Sequence, residues 1–371
     1  MSQNKRLLGI DLCRGIAAYA VILVHSGDET WGIPINQEAI NFRLLFYFAV
    51  PFFLAASFYF MMRKPISGFS LNFWKSKLER IVIPYLLWSL IYLSLRLFFF
   101  YKSNQLDRLN QLFQDPLAIA FSGAASYHLY FLPLLLAGST LVFVRNYFSD
   151  SRFETKTLIF FCLASIATCE LVTISGNGFK IGSSLAFQGI LKLISLNVDA
   201  YPLVKIALVY TYWTLSCLPY FFVAIILSQV FSKRGVSWLS SGSTIAILVI
   251  FFIANIFGNL FLPGTVRDLV MAYSLILFGI SISQSISEWS NKNDSSLARI
   301  ASSLGICSFG IYLLHPIPMN VSKLFLAKLG LTSQVTVFSM LIISVTTFLL
   351  SWIAVSLMLK HKWSAKYLFG I

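Results

Sequence analysis

Apolar stretches of about 20 residues recur along this chain with short polar connections between them, the pattern expected of helices that cross a bilayer. About ten are distinguishable: Leu7 to His25, Ile40 to Met62, Ile81 to Tyr101, Tyr127 to Val144, Thr157 to Ser175, Leu203 to Phe231, Thr244 to Leu262, Val266 to Ile286, Leu304 to Ala327 and Val335 to Leu359. The pattern predicts an all-α, polytopic integral membrane bundle. Gly178 to Tyr201 is expected to be a long loop with a re-entrant helix. No internal repeat, low-complexity tract or extramembrane domain stands out, so residues 1–371 are expected to form a single membrane-embedded domain.

The polar residues inside these stretches carry the chemistry. Arg14 and His25 lie eleven residues apart in the first stretch. At about 100° per residue the second side chain returns to within about 20° of the first, so both occupy one stripe, and Asp11 joins it one turn before Arg14. An ionised group in a membrane helix costs roughly 3 kcal/mol or more, and such groups face the protein interior and mark function. An i, i+3 pair lets Asp11 offset the desolvation of Arg14 and hold it in place.

Composition supports the membrane reading, with 57% hydrophobic and 11% charged residues, against about 25% charged in soluble domains. The net charge of +14 sorts by position. Lys5 and Arg6 precede the first stretch, Arg63, Lys64, Lys75, Lys77 and Arg80 follow the second, and Arg145, Arg152 and Lys156 follow the fourth. Lys233 and Arg234 follow the sixth, Lys292 and Arg299 the eighth, and Lys360, Lys362 and Lys366 the last. Basic residues at alternate connections place those connections, and both termini, in the cytoplasm. The excess charge therefore reports topology and does not imply a nucleic-acid partner. Asp11 and Arg14 interrupt the first stretch, which lacks a small-residue cleavage site and is expected to be a retained helix. The five cysteines have neither metal spacing nor paired loops, so apolar thiols are expected, with no metal.

Alternating chain direction also assigns depth. His25 closes an outgoing helix and His128 opens an ingoing one, so both are expected near the outer side. His315, about eleven residues into the ninth helix, sits roughly 16 Å from its cytoplasmic end. Glu170, about thirteen residues into the fifth, reaches a similar layer. His25, His128, His315 and Glu170 are thus expected to converge on the outer half, with His361 left in the cytoplasmic tail. His128 is either part of this chemistry or an interfacial residue of an aromatic belt with Tyr127 and Tyr130. The His315 ring either enters the chemistry or satisfies backbone carbonyls freed by Pro316 and Pro318. Glu170 is either functional or structurally paired.

The order of these residues resembles the membrane-bound acyltransferase-3 family. Arg14 to His25 matches that family's arginine, ten residues, histidine signature, within Asp11-Leu12-Cys13-Arg14-Gly15-Ile16-Ala17-Ala18. Val50-Pro51-Phe52-Phe53 through Ser57 is similar to its second-helix segment, and Lys77-Leu78-Glu79-Arg80 with Pro84 and Trp88 resembles its basic cytoplasmic element. Tyr127 to Leu132 and Ser308 to Pro316, the latter including Tyr312 and His315, look like its two late histidine motifs. There are departures. Phe58 stands where the family often has glycine, which bars close backbone approach. Lys77 replaces an arginine and offers a point charge without the bidentate fork.

The resemblance implies an O-acyltransferase in the cell membrane that moves an acyl group, most often acetyl, from cytoplasmic acyl-CoA to a hydroxyl on an extracytoplasmic or lipid-linked glycan. No tightly bound cofactor is implied; acyl-CoA is the donor substrate. Some members carry an esterase-like domain that this sequence lacks, so acceptor handling is expected to fall to the membrane unit or a partner. His25 then acts as general base or as nucleophile, with Arg14, His128, His315 and Glu170 as further catalytic candidates. His128 or His315 would supply a second acid/base group or stabilise the developing oxyanion. Lys75, Lys77 and Arg80 either bind the CoA phosphates or only obey the positive-inside rule. Asp11, Ser57 and Tyr312 complete the substrate-binding candidates. Two other classes remain: a proton-coupled secondary transporter using Asp11, Glu170 and the histidines, and a non-catalytic accessory protein of polysaccharide export. Transporters of this kind usually show repeated halves and have no need of the ordered motifs.

Overall fold

The computed structural model describes residues 6–27, 33–63, 71–105, 107, 113, 115–149, 153–174, 201–235, 239, 241–292, 296–328 and 334–371. The expected loop over Gly178 to Tyr201 lies almost entirely outside them. Among the described residues, nine helical segments are long and apolar enough to cross a membrane. The fourth expected span, Tyr127 to Val144, is a shorter apolar segment over Phe131–Arg145. The chain is therefore an all-α polytopic membrane protein.

In chain order the helices are α1 (Leu8–Ser26), α2 (Gln37–Leu44), α3 (Ala49–Arg63), α4 (Leu71–Lys77), a π-helical turn (Leu78–Val82), α5 (Ile83–Lys102), α6 (Pro116–Ser122), α7 (Phe131–Ser139) and α8 (Val142–Ser149). They continue with α9 (Thr155–Ile174), α10 (Pro202–Arg234), α11 (Ser241–Phe261), α12 (Gly264–Lys292), α13 (Ser296–Leu314), α14 (Pro316–Lys328), α15 (Val337–Met358) and α16 (Lys362–Phe369). Two compact units result. The first comprises residues 1–63 and 227–361, the second residues 64–226 and 362–371.

In the first unit α1 is the central helix, packed against α3, α12, α13 and α15. Helices in lipid gain little from hydrophobic burial against one another, so small residues that admit close approach carry the packing. The α1–α12 contact is polar and tight: the Gly9 amide donates to Ser283 Oγ at 3.0 Å, and Cys13 Sγ reaches the Leu275 carbonyl at 3.7 Å. Against α13 the critical position is Gly305, where a Cβ would overlap the Asp11 carboxylate. At the other end of α1, Leu23 joins Ala39, Val335 and Met340 in an apolar cluster with Tyr19, Phe42 and Phe46 around it. A short parallel bridge between Ile35 and Val335 ties the connections that flank this cluster.

The ninth predicted span differs from expectation. Polar Ser296 and Arg299 already belong to α13, which runs to Leu314 and gives way to α14 at the His315–Pro316 step. His315 therefore follows the helix start by nineteen residues, about 28 Å of rise instead of 16 Å. His25 lies about 26 Å along α1. The two histidines occupy equivalent ends of neighbouring, parallel helices.

In the second unit α4, the π-helical turn and α5 form one continuous apolar segment, Leu71–Lys102. The basic element expected to precede a span is thus built into it. The turn packs against α4, α5, α7 and α16. The last helix is fixed there by the Trp88 indole, which donates to the Leu368 carbonyl at 2.9 Å. Gly370, at φ +65°, would place a Cβ 2.5 Å from Arg80 Cα. A left-handed residue without a side chain is what lets the chain pass over the Arg80 backbone.

Two outcomes test this description. Reporter fusions after Lys64, Arg152, Arg234 and Ile371 should report cytoplasm, and fusions at Glu29, Gln111 and Asp199 the exterior; reversal at Lys64 would invert every depth assigned above. Gly305→Ala should cost about 1–3 kcal/mol by forcing Asp11 aside, seen as a lower unfolding temperature in detergent. Gly264→Ala, where a Cβ meets nothing within 4 Å, is the matched control. Equal melting of the two variants would remove Gly305 as a packing constraint.

Candidate functional site

The first unit holds two polar centres at opposite ends of α1. Near its start, Asp11 is buried at 6% exposure, and a lone carboxylate in such surroundings requires compensation. Two cations supply it, one of them anchored in turn on a backbone carbonyl. Arg6 donates its Nε–H to Oδ2, Arg14 Nη1 lies 3.6 Å from Oδ1, and the Arg6 Nη2 group also donates to the Ser302 carbonyl at 2.8 Å. Arg14 is thus tied to Asp11 one turn away, and Arg6 joins the pair from outside the helix. Sequence reasoning counted Arg6 only as a topological charge.

At the far end His25 and His315 stack with ring centroids 5.7 Å apart and planes at 21°. His315 is fully buried, at 0% exposure. Its position follows from the sequence that breaks the helix. Pro316 has no N–H, so the Tyr312 carbonyl four residues earlier loses its helical donor. The His315 ring supplies the replacement, with Nδ1 2.7 Å from the Tyr312 oxygen. A carbonyl only accepts, so Nδ1 carries the proton, and whenever the ring is neutral Nε2 presents a lone pair. The two expectations for His315 are therefore compatible: one nitrogen repairs the backbone while the ring lies against His25.

A third group at this centre was missed by sequence reasoning. Lys323, on α14 and only 5% exposed, places Nζ 3.3 Å from the His25 carbonyl oxygen. Arg43 of α2 donates Nη1 to the Gly27 carbonyl at 2.9 Å. Both cations meet the carbonyl end of α1, where helix geometry leaves acceptors unsatisfied and the dipole is negative. The signal was legible in principle. Lys323 is the one Lys, Arg, Asp or Glu between Ser303 and Ala327, and a charge alone in an apolar segment carries the same warning as Arg14.

The other candidates of this unit are less engaged. Tyr312 is buried, with its ring 6.1 Å from that of His315. Ser57 is half-buried on α3, beside a fully packed Phe58. The five cysteines are buried thiols.

His128, Glu170, Lys75, Lys77 and Arg80 belong to the second unit. His128 is 1% exposed, which removes it from an exposed aromatic belt. It sits in the turn before α7, with Nδ1 3.1 Å from Ser126 Oγ and its ring edge-on to Tyr92 at 5.2 Å. Helix α5 holds that turn: the Tyr85 hydroxyl donates to the Ile119 carbonyl and accepts from the Gly123 amide, while Arg96 donates to the carbonyls of Ala124 and Ala125. Glu170 is half-buried on α9. Lys75 and Arg80 are exposed, and the Lys77 ammonium stands 5.4 Å over the Phe73 ring. Arg80 lies within the π-helical turn, a distortion that recurs at functional sites.

A family model described as an acyltransferase domain matches residues 7–356, nearly the whole chain. No curated protein and no solved structure matches it. The match spans both units and every candidate residue considered above, and its members catalyse O-acyl transfer. This chain, a multi-pass membrane enzyme, belongs to the acyltransferase-3 family.

Proposed function

We propose that the protein transfers an acyl group, acetyl by preference, from cytoplasmic acyl-CoA to a hydroxyl of an extracytoplasmic or lipid-linked glycan, with the plasma membrane as its location. The observation that carries this reading is the stacked His25–His315 pair at the distal ends of α1 and α13. Acyl transfer to an alcohol needs a group that takes the hydroxyl proton, or one that carries the acyl group between partners. His25 fills that role. His315, its Nδ1–H committed to Tyr312, orients its Nε2 lone pair and works as an acceptor of protons, not as a donor.

Arg14 has a different task. About 16 Å of helix separates it from His25, and Asp11 holds it. It anchors the donor side of α1 and stays out of proton transfer, because a guanidinium does not deprotonate. Lys77 and Arg80, with Lys75, supply cations for the donor phosphates, their backbone set by the docking of Leu368 and Gly370. Within the first unit, an extended pantetheine arm is comparable in length to the Arg14–His25 separation, so a thioester entering at the Arg14 end of α1 reaches His25 while the nucleotide stays outside the bilayer.

The experiment is a product assay with labelled acetyl-CoA and membranes holding lipid-linked glycan, normalised to inserted protein. His25→Ala and His25→Gln should each lower labelled product by about 10²-fold or more, with helix insertion unchanged. Arg14→Lys should retain partial activity if charge suffices and almost none if a forked contact is required. Near-normal product from His25→Ala would remove this residue from the chemistry.

The donor side is tested separately. Changing Lys77 and Arg80 together to Gln should raise the KM for acetyl-CoA strongly while kcat at saturation changes little, since these groups bind the part of the donor that does not react. An unchanged KM in a well-inserted double variant would assign both residues to topology alone.

A further inference from the structure

Arg80, one of the cations assigned above to the donor phosphates, lies within the π-helical turn Leu78–Val82, where the Ile83 amide reaches back five residues to the Leu78 carbonyl. Its side chain is exposed. Such wide turns are uncommon and recur at functional sites. Helix α16 and the residues that follow it pack on this one. Leu368 and Phe369 are buried, the Phe369 ring lying 6.3 Å from that of Trp88, and the Trp88 indole donates to the Leu368 carbonyl at 2.9 Å. Gly370 then closes α16 in a left-handed cap, its amide donating to the Lys366 carbonyl at 3.1 Å. The same glycine crosses Arg80 so closely that a Cβ would stand 2.5 Å from Arg80 Cα and 2.8 Å from its carbonyl oxygen. These are backbone atoms, which cannot swing aside as a side chain can. The tail therefore grips the origin of Arg80 and leaves its guanidinium exposed.

We propose that Gly370 and Trp88 are positioning residues for the acyl-CoA donor: they clamp α16 onto the π-helical turn and so fix the point from which Arg80 reaches the phosphates. The inference rests on the reading of Arg80 given above. A guanidinium recognises phosphate through parallel N–H···O bonds of fixed geometry, so its strength depends on where its backbone stands. Trp88 follows Arg80 by eight residues, about two turns of helix. Attachment at both places fixes the position and the rotation of the turn, where a single attachment would leave a pivot. Donor affinity is thereby set in part by residues at the far end of the sequence from the cations themselves.

The competing explanation is that α16 only adds stability to the second unit. The two separate in a double-mutant cycle with Arg80→Gln, read as the Kd for coenzyme A on the full-length protein in detergent. Gly370→Ala should raise Kd by about tenfold in the wild-type background and by less than about twofold once Arg80 is Gln, because the tail acts through that residue. Trp88→Phe keeps a ring against Phe369 and loses only the N–H, so a rise of about threefold is expected, again absent with Arg80→Gln. Gly235→Ala is the control: its φ of +67° brings the same left-handed cost, but a Cβ there meets nothing within 4 Å, and Kd should stay at the wild-type value. In proteoliposomes, KM for acetyl-CoA should follow Kd while kcat at saturation stays within about twofold. Wild-type Kd in both Gly370→Ala and Trp88→Phe, with a raised Kd in Arg80→Gln, overturns the proposal alone. An equal rise with and without Arg80 also overturns it and leaves α16 a stabilising element. An unchanged Kd in Arg80→Gln defeats the phosphate reading of that residue and the clamp with it. If Gly370→Ala fails to insert, the Trp88→Phe cycle decides the question.

Discussion

A proline inside a membrane helix removes an amide proton that lipid cannot replace, and the end of the first unit that holds His25 and His315 is organised around that deficit. Pro316 leaves the Tyr312 carbonyl without its donor, and the chain repairs the gap with the side chain of the residue immediately before the proline. The repair costs His315 one nitrogen and fixes what the other can do. It also ends α13 and starts α14 as a new helix, which is what allows Lys323 to return toward the carbonyl end of α1. Backbone satisfaction, tautomer and placement of the buried cation are therefore one constraint seen at three atoms.

Along α1 the same physics separates two kinds of charge. Asp11 and Arg14 must both be compensated where they are buried, and they compensate each other with help from Arg6. Gly305 provides the room on α13. A paired guanidinium of this kind is a fixed structural charge, suited to anchoring and unsuited to proton exchange. At the distal end the groups are imidazoles and an ammonium. The imidazole of His25 is thus kept about three helical turns from a guanidinium that does not exchange protons.

Much of this was legible in the sequence, for identifiable reasons. The period of apolar residues is set by bilayer thickness, so spans and class could be read directly. Arg14, Asp11 and His25 declared themselves because helical spacing puts them on one stripe, a local relation that needs no tertiary knowledge. His315 was legible as a residue but not in its depth, because the polar first turn of α13, Ser296 to Arg299, does not look like a span and shifted the counted origin. Lys323 escaped because it was counted as part of a continuous ninth span. Only the break at Pro316 turns α14 so that its lysine meets a helix 298 residues away in sequence. The docking of Trp88 on Leu368 was equally out of reach, being a contact between residues 280 apart that no periodicity encodes.

Buried ionisable groups alone serve a proton-coupled transporter as well as an enzyme, so the discriminating feature is what each group can do in its place. A relay needs each member to accept and donate in turn. His315 has one nitrogen held by a backbone carbonyl that only accepts, and Arg14 does not titrate at all, so a path through them has a fixed donor at one end and a permanent cation at the other. A stacked pair of imidazoles has a different competence: a neutral ring there can accept one proton locally. That is the requirement of group transfer at a single point, and it matches the acyltransferase family to which the chain belongs.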